Sequence, residues 1–255
     1  MTEKMLHGVR AFFYEKTDST NTRAKLFAEN EGKVGASPAI FFTRAQSAGR
    51  GTRARTFESP EGAGLYVSFL LYPTLSGKDL LSLTTYAAVA VCRAVEKISA
   101  HSLSPRIKWV NDITVNDRKL CGILTEGKIS PSGECEYAIV GIGINLADGE
   151  HSEEVRAVMT TLAECGVKVT PDTLAEVLTE EFFEHLNELG TPGCEAEYIS
   201  RSSVIGRRLR ITSPHGTEYA VATGIGEGCS LICKDESGNE KEYISADVQI
   251  RPDDK

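Results

Sequence analysis

Residues 106–126 have the sequence Arg-Ile-Lys-Trp-Val-Asn-Asp-Ile-Thr-Val-Asn-Asp-Arg-Lys-Leu-Cys-Gly-Ile-Leu-Thr-Glu. Its short apolar and β-branched runs predict three strands, at 106–109, 112–115 and 119–126. Asn116-Asp117 separates the last two runs and has the composition of a tight hairpin turn. This segment therefore predicts an antiparallel sheet in the middle of the chain.

Two lysines interrupt these otherwise apolar strands. Lys108 precedes Trp109, the only tryptophan of the chain, and Lys119 precedes Leu-Cys-Gly122. Lysine is rarely buried without a partner. Each of the two side chains is therefore predicted to face either a binding site or solvent, the latter as on an amphipathic edge strand.

The segments on either side of this block predict the rest of a mixed sheet and the helices that flank it, an α+β fold. Further strands are predicted at 10–15, 39–43, 65–71 and 135–144. Helices are predicted at about 18–30, 79–98, 153–165, 170–189 and 194–202. The helix at 79–98 is apolar almost all round, which indicates that it packs against the sheet.

The pattern changes at Val204. Short runs at regular spacing predict a small five-stranded β-barrel. These runs are 208–212, 218–224, 230–234, 241–244 and 248–251. We place the domain boundary near Ser203, which gives domains of 1–203 and 204–255. Cys229 and Cys233 are predicted to lie on neighbouring barrel-strand positions as small hydrophobic residues.

Composition restricts the class of protein. The chain has 255 residues and is 41% hydrophobic, enough for one large domain or two unequal ones. No apolar leader or unbroken apolar span is present, so neither a signal peptide nor a membrane segment is predicted. The seven cysteines form no Cys-x-x-Cys pattern, which favours free thiols in the cytoplasm. The net charge of −8 argues against a general nucleic-acid binder.

Residues 44–57, here called the arginine loop, differ in charge from the acidic chain around them. The sequence Arg-Ala-Gln-Ser-Ala-Gly-Arg-Gly-Thr-Arg-Ala-Arg-Thr-Phe contains four arginines and no acidic residue. Glycine lets the backbone approach a ligand closely, and arginine offers a planar set of donors to phosphate or carboxylate. We predict a mobile loop that closes over an anion; the alternative is a solvated basic surface loop.

Two further motifs have a composition suited to ligand binding. In Gly141-Ile-Gly-Ile-Asn145 glycines alternate with isoleucines, which favours close approach of a strand to a flat ligand. Leu146 occupies the third glycine position of a dinucleotide-binding fingerprint, so that fold is not indicated. Asp18-Ser19-Thr20-Asn21 opens a predicted helix, where Ser19 or Thr20 serves either as the N-cap or as a ligand contact.

Taken together, these motifs resemble those of biotin–protein ligase (biotin–[acetyl-CoA carboxylase] ligase) in its short form without an N-terminal DNA-binding domain. The resemblance implies a catalytic domain similar to class II aminoacyl-tRNA synthetases and biotin/lipoate ligases, and an SH3-like C-terminal barrel. The motifs that carry it are Ser19-Thr20-Asn21, Gln46–Phe57, Lys108-Trp109-x-Asn111-Asp112, Arg118–Glu126 and Gly141–Asn145.

The family reaction has two steps. Biotin and Mg-ATP first give biotinyl-5′-adenylate and pyrophosphate, and a lysine of a biotin carboxyl carrier domain then takes the biotin as an amide. The implied partners are biotin, ATP with Mg²⁺, and the carrier domain of acetyl-CoA carboxylase or another biotin-dependent carboxylase. The protein is expected to be a monomer or a homodimer that binds neither nucleic acid nor membrane. About ten residues precede the first predicted strand, too few for a helix-turn-helix module.

The resemblance assigns roles residue by residue. The implied biotin-binding residues are Ser19, Thr20, Asn21, Gln46, Gly49, Arg50, Gly51, Thr52, Lys119, Gly122, Gly141 and Gly143. The implied ATP- and adenylate-binding residues are Arg50, Arg53, Arg55, Phe57, Trp109, Asn111, Asn145 and Arg251. The implied catalytic residues are Lys119, Arg50, Lys108 and Asp112. Asp112 is the one candidate contact to Mg²⁺, and no metal site made by protein alone is expected.

The sequence departs from the family pattern at three positions. Thr52 stands where a basic residue is common, so the adenylate is expected to be held less tightly. Ala54 replaces a frequent glycine, and Val110 replaces a usual proline. Two alternative functions stay open: a lipoate-type protein ligase, and a non-catalytic sensor of biotin or its adenylate. The arginine loop and the barrel favour biotin, and retention of Lys108 and Lys119 argues against a sensor.

Overall fold

The computed structural model describes residues 1–31, 37–76, 80–244 and 248–253. One eight-stranded sheet forms the centre of the molecule. Its strands are β1 (Thr2–Leu6), β2 (Val9–Tyr14), β3 (Ala39–Thr43), β4 (Gly64–Leu71), β5 (Arg106–Lys108), β6 (Asp112–Val115), β7 (Arg118–Ile129) and β8 (Cys135–Asn145). The helices are α1 (Thr20–Glu31), α2 (Leu80–Ile98), α3 (Glu153–Arg156), α4 (Pro171–Glu184) and α5 (Pro192–Ser200).

The order of strands in this sheet is β1-β2-β3-β4-β8-β7-β6-β5. Only the β2–β3 pair is parallel; the other neighbours are antiparallel. The predicted turn at Asn116-Asp117 is confirmed, since both residues have positive φ, 51° and 60°. Antiparallel pairing fixes the register that brings Gly122 opposite Gly143, and Ser68 opposite Gly141.

The two faces of the sheet are covered differently. Helix α1 packs on β3, β4 and β8 over a small aromatic cluster that includes Phe12 and Phe41. Helices α2, α4 and α5 form the other layer, where Phe182 stacks on Phe69 at 4.1 Å between ring centroids. Because α1 covers only part of its face, the neighbouring glycine-rich part of β7 and β8 is left for the arginine loop.

A separate antiparallel sheet follows, as expected for the C-terminal domain. It contains β9 (Arg208–Ser213), β10 (Gly216–Ile225), β11 (Leu231–Lys234), β12 (Glu240–Tyr243) and β13 (Gln249–Pro252), in the order β12-β11-β10-β9-β13. Two hydrogen bonds join this sheet and α5 to the loop after β5: Trp109 Nε1 donates to the Cys229 carbonyl at 2.8 Å, and the Tyr198 hydroxyl donates to the Val110 carbonyl at 3.0 Å.

Strand β1 was not predicted. It precedes the first predicted strand and pairs with β2 at the edge of the sheet. Its side chains are almost all exposed. Because no face of the strand is buried, its sequence has no apolar alternation from which a strand could be predicted.

The helix predicted at 153–165 is wrong beyond Arg156. The Lys119 N–H donates to the Val158 carbonyl, and the Thr160 N–H donates to the Lys119 carbonyl, at 2.8 and 2.9 Å. These bonds to β7, and those of the Leu162 and Ala163 N–H groups to the carbonyls of Asn145 and Leu146, replace the continuation of the helix. Thr160 and Thr161 favour this outcome, because β-branched residues lose side-chain freedom in a helix.

The prediction for the two nearby cysteines is half wrong. Cys233 lies buried on β11, but Cys229 lies in the turn Glu227–Cys229 with φ of 60°. The carbonyl of Cys229 faces Trp109, which explains why this residue is held in a turn between the two sheets. The remaining predicted bounds differ from the observed ones by a few residues, and predicted helix residue Asp79 lies outside the described residues.

Candidate active site

Three glycines on β7 and β8, here called the glycine floor, form one patch of the sheet without side chains. They are Gly122, Gly141 and Gly143. A Cβ atom at Gly141 would lie 2.2 Å from Asn21 Oδ1, and one at Gly143 would lie 2.5 Å from the Phe57 ring. A Cβ atom at Gly122 would meet the same ring at 3.0 Å. The absence of side chains on the floor therefore lets helix α1 and the arginine loop reach the sheet itself.

Polar side chains at the start of α1 form a connected set above Gly141. The Thr20 N–H donates to Gln46 Oε1 at 2.9 Å, and the Ser68 hydroxyl donates to Asn21 Oδ1 at 2.6 Å. The hydroxyls of Ser68 and Thr20 lie 2.7 Å apart. The hydroxyl of Thr20 thus contacts Ser68 and Gln46. Its role as a ligand contact stays a prediction.

Asp18 anchors the turn that precedes these residues. Its carboxylate accepts the Ser19 N–H at 2.7 Å and the Arg23 Nε at 2.8 Å. The hydrogen bond from Arg23 lowers the pKa of Asp18 to about 2, from a usual value near 4. The carboxylate is therefore ionised at neutral pH and holds the start of α1 in place.

Cationic side chains gather at the other end of the floor. Lys119 Nζ lies 2.6 Å from Asp112 Oδ1 and 5.7 Å from the centroid of the Phe57 ring. Burial lowers the pKa of Lys108, and repulsion from Lys119, Arg251 and Arg55 lowers it further, while Asp112 opposes the shift. One carboxylate among several cations leaves an excess of positive charge, which suits phosphate or carboxylate groups of a ligand.

The arginine loop is folded against the floor and against the C-terminal sheet. Arg50 Nη2 lies 2.6 Å from Glu126 Oε1 on β7, and the Arg53 guanidinium donates to the Val248 carbonyl. Arg55 Nη2 donates to Thr52 Oγ1 within the loop at 2.8 Å. At Gly49 a Cβ atom would lie 2.2 Å from the Phe57 carbonyl oxygen, so this glycine is required for the path of the loop.

Three residues that the sequence assigned to nucleotide binding have their side-chain donors engaged with backbone carbonyls. Trp109 is 6% exposed and donates to Cys229. Asn111 Nδ2 donates to the Ile123 carbonyl at 2.7 Å, and Asn145 Nδ2 donates to the Lys119 carbonyl at 3.2 Å. These contacts hold the strands around Lys119 and the C-terminal sheet in place beside the floor.

Two site residues were missed from sequence. Ser68 is 0% exposed, and it was unassigned although it is the one polar residue of the otherwise apolar strand β4. The motif Arg118–Glu126 implies no role for Glu126, but in the structure its carboxylate contacts Arg50 and Asn21. A polar residue in a fully buried strand is a signal that would have identified Ser68.

Two classes of feature are absent from the residues that the structure describes. No group of three or more His, Cys, Asp or Glu side chains is arranged to hold a metal ion. None of the helices in the same residues has both the length and the apolar character needed to cross a bilayer.

Comparisons with known proteins agree with this geometry. The profile of the "Biotin/lipoate A/B protein ligase family" matches residues 13–145. The chain is 29% identical to the "Biotin--[acetyl-CoA-carboxylase] ligase" of Paracoccus denitrificans, over 88% of this chain and 94% of that protein. It is also 29% identical to the "Bifunctional ligase/repressor BirA" of Bacillus subtilis, over 95% of this chain and 74% of that protein.

The fold is likewise similar to that of a solved structure. The biotin protein ligase from Aquifex aeolicus in complex with biotin and ATP superimposes with a TM-score of 0.78 at 27% sequence identity. The match covers 95% of this chain and 99% of that one.

Proposed function

The chain belongs to the biotin/lipoate A/B protein ligase family, and we propose that it is an ATP-dependent biotin–[acetyl-CoA-carboxylase] ligase. One observation of the site supports this function above the others. The glycine floor has a neutral hydrogen-bonding set at one end and Lys119 at the other. Such a site suits a flat, uncharged ring system that carries a carboxylate on a tail.

The first chemical step forms a bond between the biotin carboxylate and the α-phosphorus of ATP and breaks the bond to the β-phosphate. Pyrophosphate leaves with its electron pair. The reaction needs no enzyme nucleophile, since alignment and neutralisation of charge on the phosphate oxygens supply the catalysis. In our proposal Lys119 lies at the junction of carboxylate and α-phosphate, with Arg55 and Lys108 contributing positive charge nearby.

The second step joins the biotin acyl carbon to the ε-amine of an acceptor lysine and expels AMP. The amine must lose a proton as the amide forms. Asp112 is our candidate to receive it, because its carboxylate lies 2.6 Å from Lys119, beside the position proposed for the reacting groups. We propose that the acceptor is a biotin carboxyl carrier domain, by analogy with the relative from Paracoccus denitrificans.

Mg²⁺ fits this site as a companion of ATP and not as a resident metal. Asp112 is the one carboxylate that we place next to Lys119, and Mg²⁺ in such sites is held by one or two carboxylates together with the substrate phosphates. Mg²⁺ so held supplies additional neutralisation of phosphate charge. We propose Asp112 as its protein ligand.

Pyrophosphate release tests the proposed function. The wild type should release pyrophosphate with biotin, and much less with lipoate, and should then biotinylate a purified carrier domain. Lys119→Ala should lower the rate of release by about 100- to 1,000-fold, as expected for loss of a group that stabilises developing charge. Lys128→Ala is the matched control, since Lys128 lies on the same strand but pairs with Glu136 on the surface.

Two other results would redirect the assignment, and a third would test the effect of Thr52. Release with lipoate and not with biotin would make the protein a lipoate-type ligase. Binding of biotin without release of pyrophosphate would make it a sensor. Adenylate that escapes into solution before transfer would agree with the expected effect of Thr52.

A further inference from the structure

Glu126 connects two parts of the site that come from distant regions of the sequence. Its Oε2 accepts a hydrogen bond from Asn21 Nδ2 at 2.8 Å, and its Oε1 lies 2.6 Å from Arg50 Nη2. Asn21 belongs to α1, and Arg50 belongs to the arginine loop. A single carboxylate on β7 therefore contacts both the helix and the loop that lie over the glycine floor.

The carboxylate determines how the Asn21 amide is oriented. An ionised carboxylate can only accept hydrogen bonds, so the NH₂ group of Asn21 must face it. The Oδ1 atom then faces Ser68, whose hydroxyl donates to it at 2.6 Å. In the reversed orientation Oδ1 would face Glu126, and two acceptors in contact repel each other.

This orientation affects the rest of the hydrogen-bonded set. Ser68 has one proton to donate, and its hydroxyl also contacts Thr20 at 2.7 Å. While Asn21 Oδ1 accepts that proton, the Thr20 hydroxyl must donate its own proton to Ser68, which leaves the lone pairs of Thr20 to accept from a ligand. The donor and acceptor pattern that a ring substrate meets above Gly141 thus depends on a carboxylate that need not touch the substrate.

The contact with Arg50 gives Glu126 its second effect. The side chains of Arg50 and Glu126 are 46% and 31% exposed, so the ion pair by itself contributes little to stability. It does fix the direction of Arg50 across the floor, from the loop to β7. Neutralising Glu126 would release Arg50 and the Asn21 amide together.

We propose that Glu126 is a positioning residue, which orients Asn21 for the ring end of biotin and holds Arg50 over the floor. This inference rests on the proposed function for the identity of the ligand. Glu126→Gln preserves size but offers an NH₂ group as well as a carbonyl, so it cannot serve as acceptor to both partners. The variant should bind biotin about tenfold more weakly, the effect of losing one charged hydrogen bond.

The test is calorimetric titration of the wild type and variants with biotin in the absence of ATP. Glu136→Gln is the matched control, because Glu136 lies on the adjacent strand β8 and its ion pair with Lys128 is on the surface. Its Kd should stay within about twofold of the wild-type value, as for other exposed pairs. Glu126→Asp retains the charge on a shorter side chain and should weaken binding by about three- to fivefold, since it reaches only one partner well.

Steady-state kinetics separate positioning from a structural defect. Glu126→Gln should raise KM for biotin while KM for ATP changes much less. Equal Kd values for Glu126→Gln and the wild type would overturn the proposal, as would an equal loss in Glu136→Gln. If Glu126→Gln does not fold, an unchanged Kd in Glu126→Asp overturns it. Failure of the proposed function itself is recognised separately, because the wild type would then show no biotin-dependent release of pyrophosphate.

Discussion

The glycine floor and the arginine loop face each other across the same site but are held in place by different forces. The floor lies on the central strands β7 and β8, whose backbone hydrogen bonds fix it, and its neighbour Ser68 is fully buried. The first part of the loop is bonded through the backbone N–H groups of Gln46, Ser47 and Ala48. Its tip is held by side chains such as Arg50, which is 46% exposed, and Arg53, which reaches the C-terminal sheet. Exposed ion pairs contribute little stability, so the tip can be released at small cost.

This difference bears on the proposed function. We propose that the floor, which is preorganised by the sheet, gives the substrate a fixed surface. The loop carries the positive charge that a bound anion would attract, and the attachments of its tip are weak enough to exchange for contacts with a ligand. We expect substitutions in the floor to have larger effects than comparable substitutions in the loop, and those outside both to have the smallest.

The largest effect is expected for Gly143→Val. A Cβ atom there would lie 2.5 Å from the Phe57 ring, so either Phe57 or the ligand must move away from the floor. A displacement of about 1 Å costs roughly 100-fold in rate, so kcat/KM for biotin should fall at least that far. Ile142→Val is the control, because Ile142 is adjacent on β8 but its side chain is buried on the opposite face, which α2, α4 and α5 cover. Similar losses of kcat/KM in both variants would show that the effect is not specific to the floor.

A smaller effect is expected for Gly49→Ala in the loop. Its Cβ atom would lie 2.2 Å from the Phe57 carbonyl oxygen, a backbone atom that cannot rotate away. The loop should take another path, and kcat/KM should fall by about tenfold. The comparison variant is Gly51→Ala, whose Cβ would be 3.2 Å from the Arg55 carbonyl oxygen. If Gly51→Ala loses as much activity as Gly49→Ala, crowding at Gly49 is not the cause.

The smallest effect is expected outside the floor and the loop, for Asp18→Asn. The folded-state pKa of about 2 lies below the unfolded value, so this carboxylate stabilises the fold above about pH 4, and the contribution is lost as pH falls through 2. The side chain is 37% exposed, so we expect a loss of only about 0.5 kcal/mol in the free energy of unfolding at pH 7.

Urea unfolding at several pH values measures that difference. It should shrink between pH 4 and pH 2, where the wild-type carboxylate becomes protonated. Asp117→Asn is the control, since the Asp117 side chain pairs with Arg207 but is 68% exposed. A difference for Asp18→Asn that does not change with pH would contradict the assignment of the effect to ionisation.

Much of the floor could be predicted from sequence, and little of its connection to the loop. The alternation Gly141-Ile-Gly143 indicates a bare strand face, because side chains alternate between the two faces with a period of two. The partner of Arg50 could not be found in this way, because Glu126 is 76 residues away in the sequence. Asn21 and Glu126 are separated by 105 residues, so only the packing of α1 on the sheet brings them into contact.

The roles given to individual residues stay predictions, as does the domain boundary near Ser203. The structure shows which of these residues lie close enough together to contact one ligand. Lys119, Asp112 and Phe57 lie together at one end of the floor, whereas the indole N–H of Trp109 faces the C-terminal sheet. The side-chain Nδ2 atoms of Asn111 and Asn145 donate to backbone carbonyls of β7, which gives both residues a role in holding this strand.

The sequence by itself determined the α+β architecture, the hairpin at Asn116-Asp117 and the order of the ligand-binding motifs. Each depends on local preferences: the period of apolar residues, the backbone conformations that Asn, Asp and Gly tolerate, and residue types suited to anions. Tertiary structure alone decided the course of 157–165, the turn at Cys229, the edge strand β1 and the bridge made by Glu126. For 157–165, Cys229 and Glu126, the backbone or a side chain is satisfied by a partner distant in sequence, which no local preference specifies. Strand β1 pairs with the adjacent strand β2, but its own residues carry no apolar alternation.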